Sequence, residues 1–575
     1  MNKQAIFHQN ESNYSFALDN ENLKVRLRTE REDPSILKIE CLWNISFKLG
    51  DEQKISLMKV EHQDELFDYY ETVLTSKDPR FSYVFLIYLK DGTHYYYSEL
   101  GLTREFNFKQ FDGRCFKMAY INDLDISKRN PKYDGNICYQ IFPERFNSAD
   151  KNIDKSYVTS PWNTTELKGS GNNYRQDVFI GGDLRGIIEK LDYLEELNIG
   201  ILYMTPICKS NSNHKYNVED YYEVDPQFGN DAVVEELITK CHQRGIKVIF
   251  DLVFNHSSNK NALFKDVVRY GKESDFYDFY FIDGDKVDEE KGNYAKFASV
   301  RRMPKLNTNN YRVQDFLLDV GKYFVTKFHV DGYRLDVANE VSHNFWTYFK
   351  HELRRLDKDL ILIGEIWTNS YKYLSSNEFD SVMNYAFLNA CKLFFVDKTD
   401  NAEAFKNRLE NNLMRYDENT NFNMLNLIDS HDTPRFYEYM KPNKDAYLLA
   451  ELVLITHIGI PMVYYGDEIF MEGGYDPANR KGMEWDSSIY KTSYFQLFTS
   501  ILNLRKINAF AHGDMKLSSN KQFFILERFD SKERYKVIIN NTKEIVEYKT
   551  NKEIILSNNY GDNYFLPYSF IVIKE

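Results

Sequence analysis

The chain has 575 residues, of which 43% are hydrophobic, 28% charged and 16% aromatic, and it carries a formal net charge of −13. A single hydrophobic core stops growing at about 250–300 residues, so this length predicts one large domain with smaller ones attached. The acidic surface repels phosphate backbones and excludes nucleic acid as a natural partner, and 26 Gly with 13 Pro are too few for collagen-like or long disordered tracts.

Six cysteines, Cys41, Cys115, Cys138, Cys208, Cys241 and Cys391, are scattered without a C-x-x-C pair. That spacing argues against structural zinc and against a disulfide framework. The first 16 residues are polar, and no apolar run reaches the ~18 residues that a membrane span needs. The expectation is therefore a reduced, cytoplasmic protein with no membrane partner. Tyr and Phe are abundant, at 43 and 42, and Trp is rare, at 5. Most such rings fill cores, and a few can serve as flat stacking floors for a ligand; composition does not say which.

In chain order, residues 1–125 read as β-rich: short aromatic or β-branched segments at 23–27, 81–89 and 93–98 are separated by polar turns, which predicts a β-sandwich. From about 137 the texture changes. Apolar runs at 137–142, 199–204, 247–253, 330–337, 360–366, 379–385, 424–428 and 461–465 alternate with amphipathic stretches such as 184–197 and 232–243. Eight strands alternating with helices predict an α/β fold, a (β/α)8 TIM barrel spanning 126–510. The third run is followed by a long polar segment, about 254–310, read as an inserted subdomain over the barrel mouth. Its charged run, 284–292, reads as a solvated loop. Strand-like texture returns in 511–575, which predicts a small C-terminal β-domain.

Chemistry gathers at the C-terminal ends of the runs, where barrel enzymes keep their active sites. The third run ends Asp251-Leu-Val-Phe-Asn-His256, the fourth gives Arg334-Leu-Asp336, the fifth Gly364-Glu-Ile-Trp367 and the seventh Asp429-Ser-His-Asp432. One carboxylate at a strand end is as readily a structural ion pair; three acids, two His and an Arg on one rim are not. Arg334 and Asp336 are two apart on a strand and share a face, and a guanidinium beside a carboxylate favours its ionised form, as a glycosidic nucleophile requires. Glu365 and Trp367 also share a face, and an indole wall beside a carboxyl suits a general acid. Asp432 reads as the acid that holds sugar hydroxyls and favours an oxocarbenium-like transition state, with His256 and His431 donating to the same ring. Metal binding is the rival reading for these two His, but no H-E-x-x-H or H-x-H pattern accompanies them.

Together these blocks resemble the α-amylase family, glycoside hydrolase family 13, over nearly the whole chain. The resemblance implies a retaining mechanism with Asp336 as nucleophile, Glu365 as acid/base and Asp432 as transition-state stabiliser, and it needs no cofactor for the chemistry. It implies sugar contacts from Arg334, His256 and His431, and from Tyr216 within His214-Lys-Tyr216. Met303-Pro-Lys-Leu-Asn307, Asp336-Val-Ala-Asn-Glu340, Tyr139-Gln-Ile-Phe-Pro-Glu-Arg-Phe146 and Gly473-Gly-Tyr-Asp-Pro-Ala-Asn-Arg480 resemble the neopullulanase, cyclomaltodextrinase and maltogenic amylase group. That likeness adds His214, Trp367, Glu340, Asp476 and Arg480 to the expected substrate contacts. The N-terminal region resembles a starch-binding-type module, carbohydrate-binding module family 34, through which that group forms a homodimer.

The implied activity is cleavage of α-1,4 bonds in cyclodextrins, pullulan, maltooligosaccharides and starch, with transglycosylation. The alternatives are an open-cleft α-amylase, an oligo-1,6-glucosidase, or a non-catalytic glucan-binding protein on the same fold; the last typically lacks one of the three acids. Two departures stand out. Thr368 occupies a position where the group usually has His. The group's calcium loop is matched by Asp150, Asp154, Gly181 and Asp183, but Ser148 and Ile153 replace two expected Asn, and an Ile side chain supplies no oxygen. Structural calcium and a hydrogen-bonded loop without metal are both compatible with these residues.

Overall fold

The structure is a computed structural model and describes residues 1–164 and 177–575. It divides into two compact units: Met1–Arg129 with Thr399–Phe422 and Leu517–Phe524, and Asn130–Lys398 with Asn423–Lys516 and Ile525–Glu575.

The first unit is built on two antiparallel sheets. Strand Phe81–Leu89 explains why they pack. Its residues alternate between two apolar environments, as a two-residue side-chain period dictates. Phe81, Tyr83, Phe85 and Ile87 enter the larger core with Leu23, Val25, Leu27 and Leu74, while Val84 and Leu86 enter a second cluster with Leu42, Leu49 and Cys115. Helix Ala402–Leu413 also belongs to this unit, although its sequence lies within the predicted barrel segment. Glu410 Oε2 meets His62 Nδ1 at 2.7 Å, and Glu403 Oε1 accepts from Arg31 Nη2 at 2.9 Å.

In the second unit, strands Ile137–Ile141, Ile199–Met204, Lys247–Val253, Gly332–Asp336, Ile361–Gly364, Ser381–Asn384, Leu425–Leu427 and Ile460–Tyr464 close into a parallel barrel in chain order. Inward residues recur two apart, as in Ile201/Tyr203, Ile361/Ile363, Leu425/Leu427 and Ile460/Met462, and fill the barrel as one cluster. Outward residues meet helices. Phe250 packs edge-on against Phe324 of helix Tyr311–Phe328, and Tyr333 reaches the Gly321 carbonyl on the same helix at 2.6 Å. That helix stops at His329, whose left-handed φ of 57° ends the regular turn. Gly332 must be glycine, because a Cβ there would lie 2.4 Å from Ile361 Cγ2 and 2.6 Å from the Ile361 carbonyl oxygen.

Segment 254–310 folds on helix Ala262–Tyr270 and returns through isolated bridges, including His256 to Lys305. Its charged run is largely exposed. In the C-terminal region, strands Arg534–Asn540, Glu553–Gly561 and Tyr564–Lys574 pair antiparallel. All six cysteines are buried free thiols, and no helix among the described residues is long and apolar enough to cross a membrane.

Candidate active site

Parallel register sets the site. Asp251 on the third strand lies beside Arg334 on the fourth, and Val253 lies beside Asp336. Glu365 follows directly on the fifth strand, and His431 and Asp432 lie just beyond the seventh.

Arg334 is fully buried and binds every acid of the group. Its Nη1 donates to Asp251 Oδ1 and Oδ2 at 3.0 and 3.1 Å and to Asp336 Oδ1 at 2.9 Å. Its Nη2 lies 3.0 Å from Glu365 Oε2 and 3.6 Å from Asp432 Oδ2. A buried cation is tolerated only when paired in this way. Asp251 is further held by the Tyr203 and Tyr216 hydroxyls, at 2.7 and 2.8 Å.

Four carboxyls facing one guanidinium cannot all ionise freely. Burial and the neighbouring Glu365 charge push the Asp336 carboxyl up, and Arg334 opposes them without winning. Burial likewise pushes Asp251 up to about 6, against Arg334 and the two tyrosine hydroxyls. The guanidinium expected beside Asp336 is present, but it does not offset burial and the Glu365 charge.

The environment of Glu365 differs from the expected apolar wall. Trp367 Nε1 donates to Glu365 Oε1 at 2.9 Å, while the indole is half exposed and stacks on Tyr385 with ring centres 3.8 Å apart. The other oxygen, Oε2, accepts the Val337 N–H at 2.8 Å. Val337 has a φ of 45°, a left-handed conformation that costs a β-branched residue about 1–3 kcal/mol. The bond to Glu365 and the Trp346 Nε1 bond to the next carbonyl, Ala338 O at 2.9 Å, hold that turn in place.

Neutral imidazoles line the same rim. His431 is buried, and its Nδ1 meets Gln140 Nε2 at 2.8 Å. Its Nε2 lies 2.5 Å from the Tyr216 hydroxyl and 3.2 Å from Asp432 Oδ2, and its ring is parallel to Tyr216 within 4°. Burial first, then the charges of Arg480 and Arg334, hold His431 well below the usual histidine range. Burial also pulls His256 down to about 3; its ring stacks on Phe297, and its Nε2 has no hydrogen-bond partner among the described residues. His214 is buried behind Tyr216, accepting the Tyr216 N–H at 3.0 Å, so it supports that ring. Arg480 reaches Asp432 Oδ1 at 3.4 Å and Asp476 Oδ2 at 3.5 Å. Glu340 is exposed, with Lys305 donating to its carbonyl at 2.9 Å. Asp150, Asp154 and Asp183 do not form a metal cluster: no group of three or more His, Cys, Asp or Glu able to hold a metal occurs among the described residues.

Sequence reasoning missed Gln140, Tyr203, Tyr385 and the central part played by Asp251. The signal was available for Gln140, Tyr203 and Asp251, polar or hydroxylated residues near the ends of apolar strands.

A parallel barrel with this carboxylate and imidazole rim defines a glycosidase-type site, and comparison with known proteins agrees. Residues 140–528 match the alpha-amylase catalytic domain, and residues 1–122 match the alpha-amylase N-terminal ig-like domain. The chain belongs to the alpha-amylase family of glycoside hydrolases. It is 38% identical to a cyclomaltodextrinase of Thermoanaerobacter pseudethanolicus, over 95% of this chain and 93% of that protein. It is 35% identical to neopullulanase 2 of Thermoactinomyces vulgaris, over 94% and 91%. A solved cyclomaltodextrinase structure superposes with a TM-score of 0.89 at 32% identity, covering 100% of both chains.

Because His256 stays neutral down to about 3, it donates or accepts without titrating between pH 5 and 8. Replacing it, as His256→Gln, is expected to lower kcat/KM about 10-fold or more while leaving both limbs of the pH–rate profile in place. A displaced limb would show that His256 itself carries the proton.

Proposed function

We propose that the protein is a retaining α-glucan hydrolase that opens cyclodextrins and cleaves α-1,4 bonds in pullulan, maltooligosaccharides and, more slowly, starch. The observation that supports it most is the placement of Asp336 and Glu365 on the two terminal nitrogens of one buried guanidinium. A retaining double displacement needs two carboxyls about 5–5.5 Å apart. Asp336 attacks the anomeric carbon, the glycosidic C–O bond breaks, and the Glu365 proton passes to the leaving oxygen. Glu365 then takes a proton from water, the resulting hydroxide attacks the anomeric carbon, and the glycosyl ester to Asp336 breaks. A sugar hydroxyl in place of water gives transglycosylation. Asp432, a quarter exposed and fixed by His431 and Arg480, faces the sugar hydroxyls. The neighbouring Trp367–Tyr385 stack offers an aromatic face to the glucan.

The expected result for Asp336→Ala and Glu365→Gln is a loss of about 10³-fold or more in kcat/KM with no fall in Tm, since either change relieves crowding among buried acids. Substantial residual turnover in either variant would refute the assigned roles. On matched masses of β-cyclodextrin, pullulan, soluble starch and an isomaltooligosaccharide, ring opening should be fastest; starch cleaved fastest would make this an open-cleft amylase.

The same reading carries a homodimer formed through the N-terminal domain. Its edge strands Lys54–Leu57 and Lys59–Gln63 leave Ile55, Leu57 and Val60 exposed, and apolar side chains on sheet edges favour a covering partner. Sedimentation at assay concentration should give twice the chain mass, and a monomer would remove the dimer from the reading.

A further inference from the structure

The residues that match the family's calcium loop do not fit the ion. Calcium takes about 6–8 oxygens at 2.3–2.6 Å. Here every matching group has another occupation. Asp183 is fully buried. Its Oδ1 accepts from Gly186 N at 2.7 Å and Ala149 N at 3.3 Å. Its Oδ2 accepts from the Ala149 and Asp150 amides, both at 3.1 Å, and from the Ser148 hydroxyl at 3.4 Å. Asp150 caps Asn152 N at 2.9 Å and faces Arg185 Nε at 3.4 Å. Asp154 is exposed and turns to Ser156, accepting its N–H at 2.9 Å and its hydroxyl at 3.0 Å. Ile153 contributes no side-chain oxygen.

One cation does occupy the place. Lys155 Nζ donates to the Gly181 carbonyl at 2.8 Å and to Asp183 Oδ2 at 2.9 Å. These are two of the four groups the resemblance offered to calcium. We propose that the Lys155 ammonium stands in for the calcium ion in this loop, so that the fold is closed by a tethered side chain and does not depend on the metal.

Asp183 must be neutralised, because it is buried and also caps helix Leu184–Glu189. An ammonium supplies that charge with three donors, two of which are spent on the groups named. It ties residues 154–158 to residues 181–186, the latter already held by Glu144 Oε1 on the Ile180 and Gly181 amides, at 2.5 and 2.7 Å. Gly182 lets this segment press against the Pro143 carbonyl, where a Cβ would lie 2.2 Å away. A divalent ion added to the same pocket would meet the ammonium as a like charge and find the Asp183 lone pairs already filled by backbone donors.

The test uses the full-length protein, dialysed against EGTA and then returned to calcium chloride. The proposal predicts no stoichiometric calcium by plasma mass spectrometry and one Tm in both buffers. It also predicts that Lys155→Met melts about 3 °C or more below the wild type in either buffer, and that Lys155→Arg recovers part of the loss. Stoichiometric calcium on the wild-type protein, a wild-type Tm raised by calcium, or a Lys155→Met variant that melts with the wild type would each overturn it. None of these readouts depends on the substrate reading above.

Discussion

The Arg334 guanidinium is the constraint around which the catalytic rim is built. It is a buried cation that touches Asp251, Asp336, Glu365 and Asp432, drawn from two strands of the barrel and from the segments that follow two others. The desolvation cost of such a group is met only by close, correctly aimed carboxylates, so the positions of all four acids are tied to it. Because one positive charge faces four acids, the acids compete for ionisation. The barrel supplies the register, Tyr203 and Tyr216 brace Asp251, and the Val337 turn anchors Glu365.

Around this charged centre the cleft is neutral. His256 and His431 are held as uncharged imidazoles by burial, and Tyr216, Trp367 and Tyr385 offer aromatic surface. Neutral donors and rings suit an uncharged polyhydroxyl ligand, which is indifferent to the net charge of −13 on the chain. The site therefore separates its groups: charge gathers around Arg334, and neutral donors and rings line the cleft beside it.

Much of this was legible from the sequence because it follows local periodicity. The eight apolar runs coincide with the eight barrel strands, and the two-residue spacing of Arg334 and Asp336 places both on one face, as a strand requires. What was not legible depends on contacts between distant segments. Helix Ala402–Leu413 packs with the N-terminal sheets, a choice made by pairs such as His62–Glu410 that no local pattern encodes. Trp367 was visible beside Glu365, but whether an indole offers its face or its N–H is a matter of rotamer and of the Tyr385 ring on its other side. Lys155 carries no motif signal of its own; only the return of Gly181 and Asp183 gives its ammonium a partner.

The most direct test of the central arrangement is Arg334→Lys. A lysine keeps the charge but is a single point donor, and it cannot hold Asp336 and Glu365 on separate nitrogens. The expected result is a folded protein whose kcat falls about 10²-fold or more while KM changes little, with the pH limbs of kcat/KM displaced as the carboxyl pair loses its shared partner. Wild-type kcat with unmoved limbs would mean that the acids are positioned and tuned without the guanidinium, and that the centre of the site lies elsewhere.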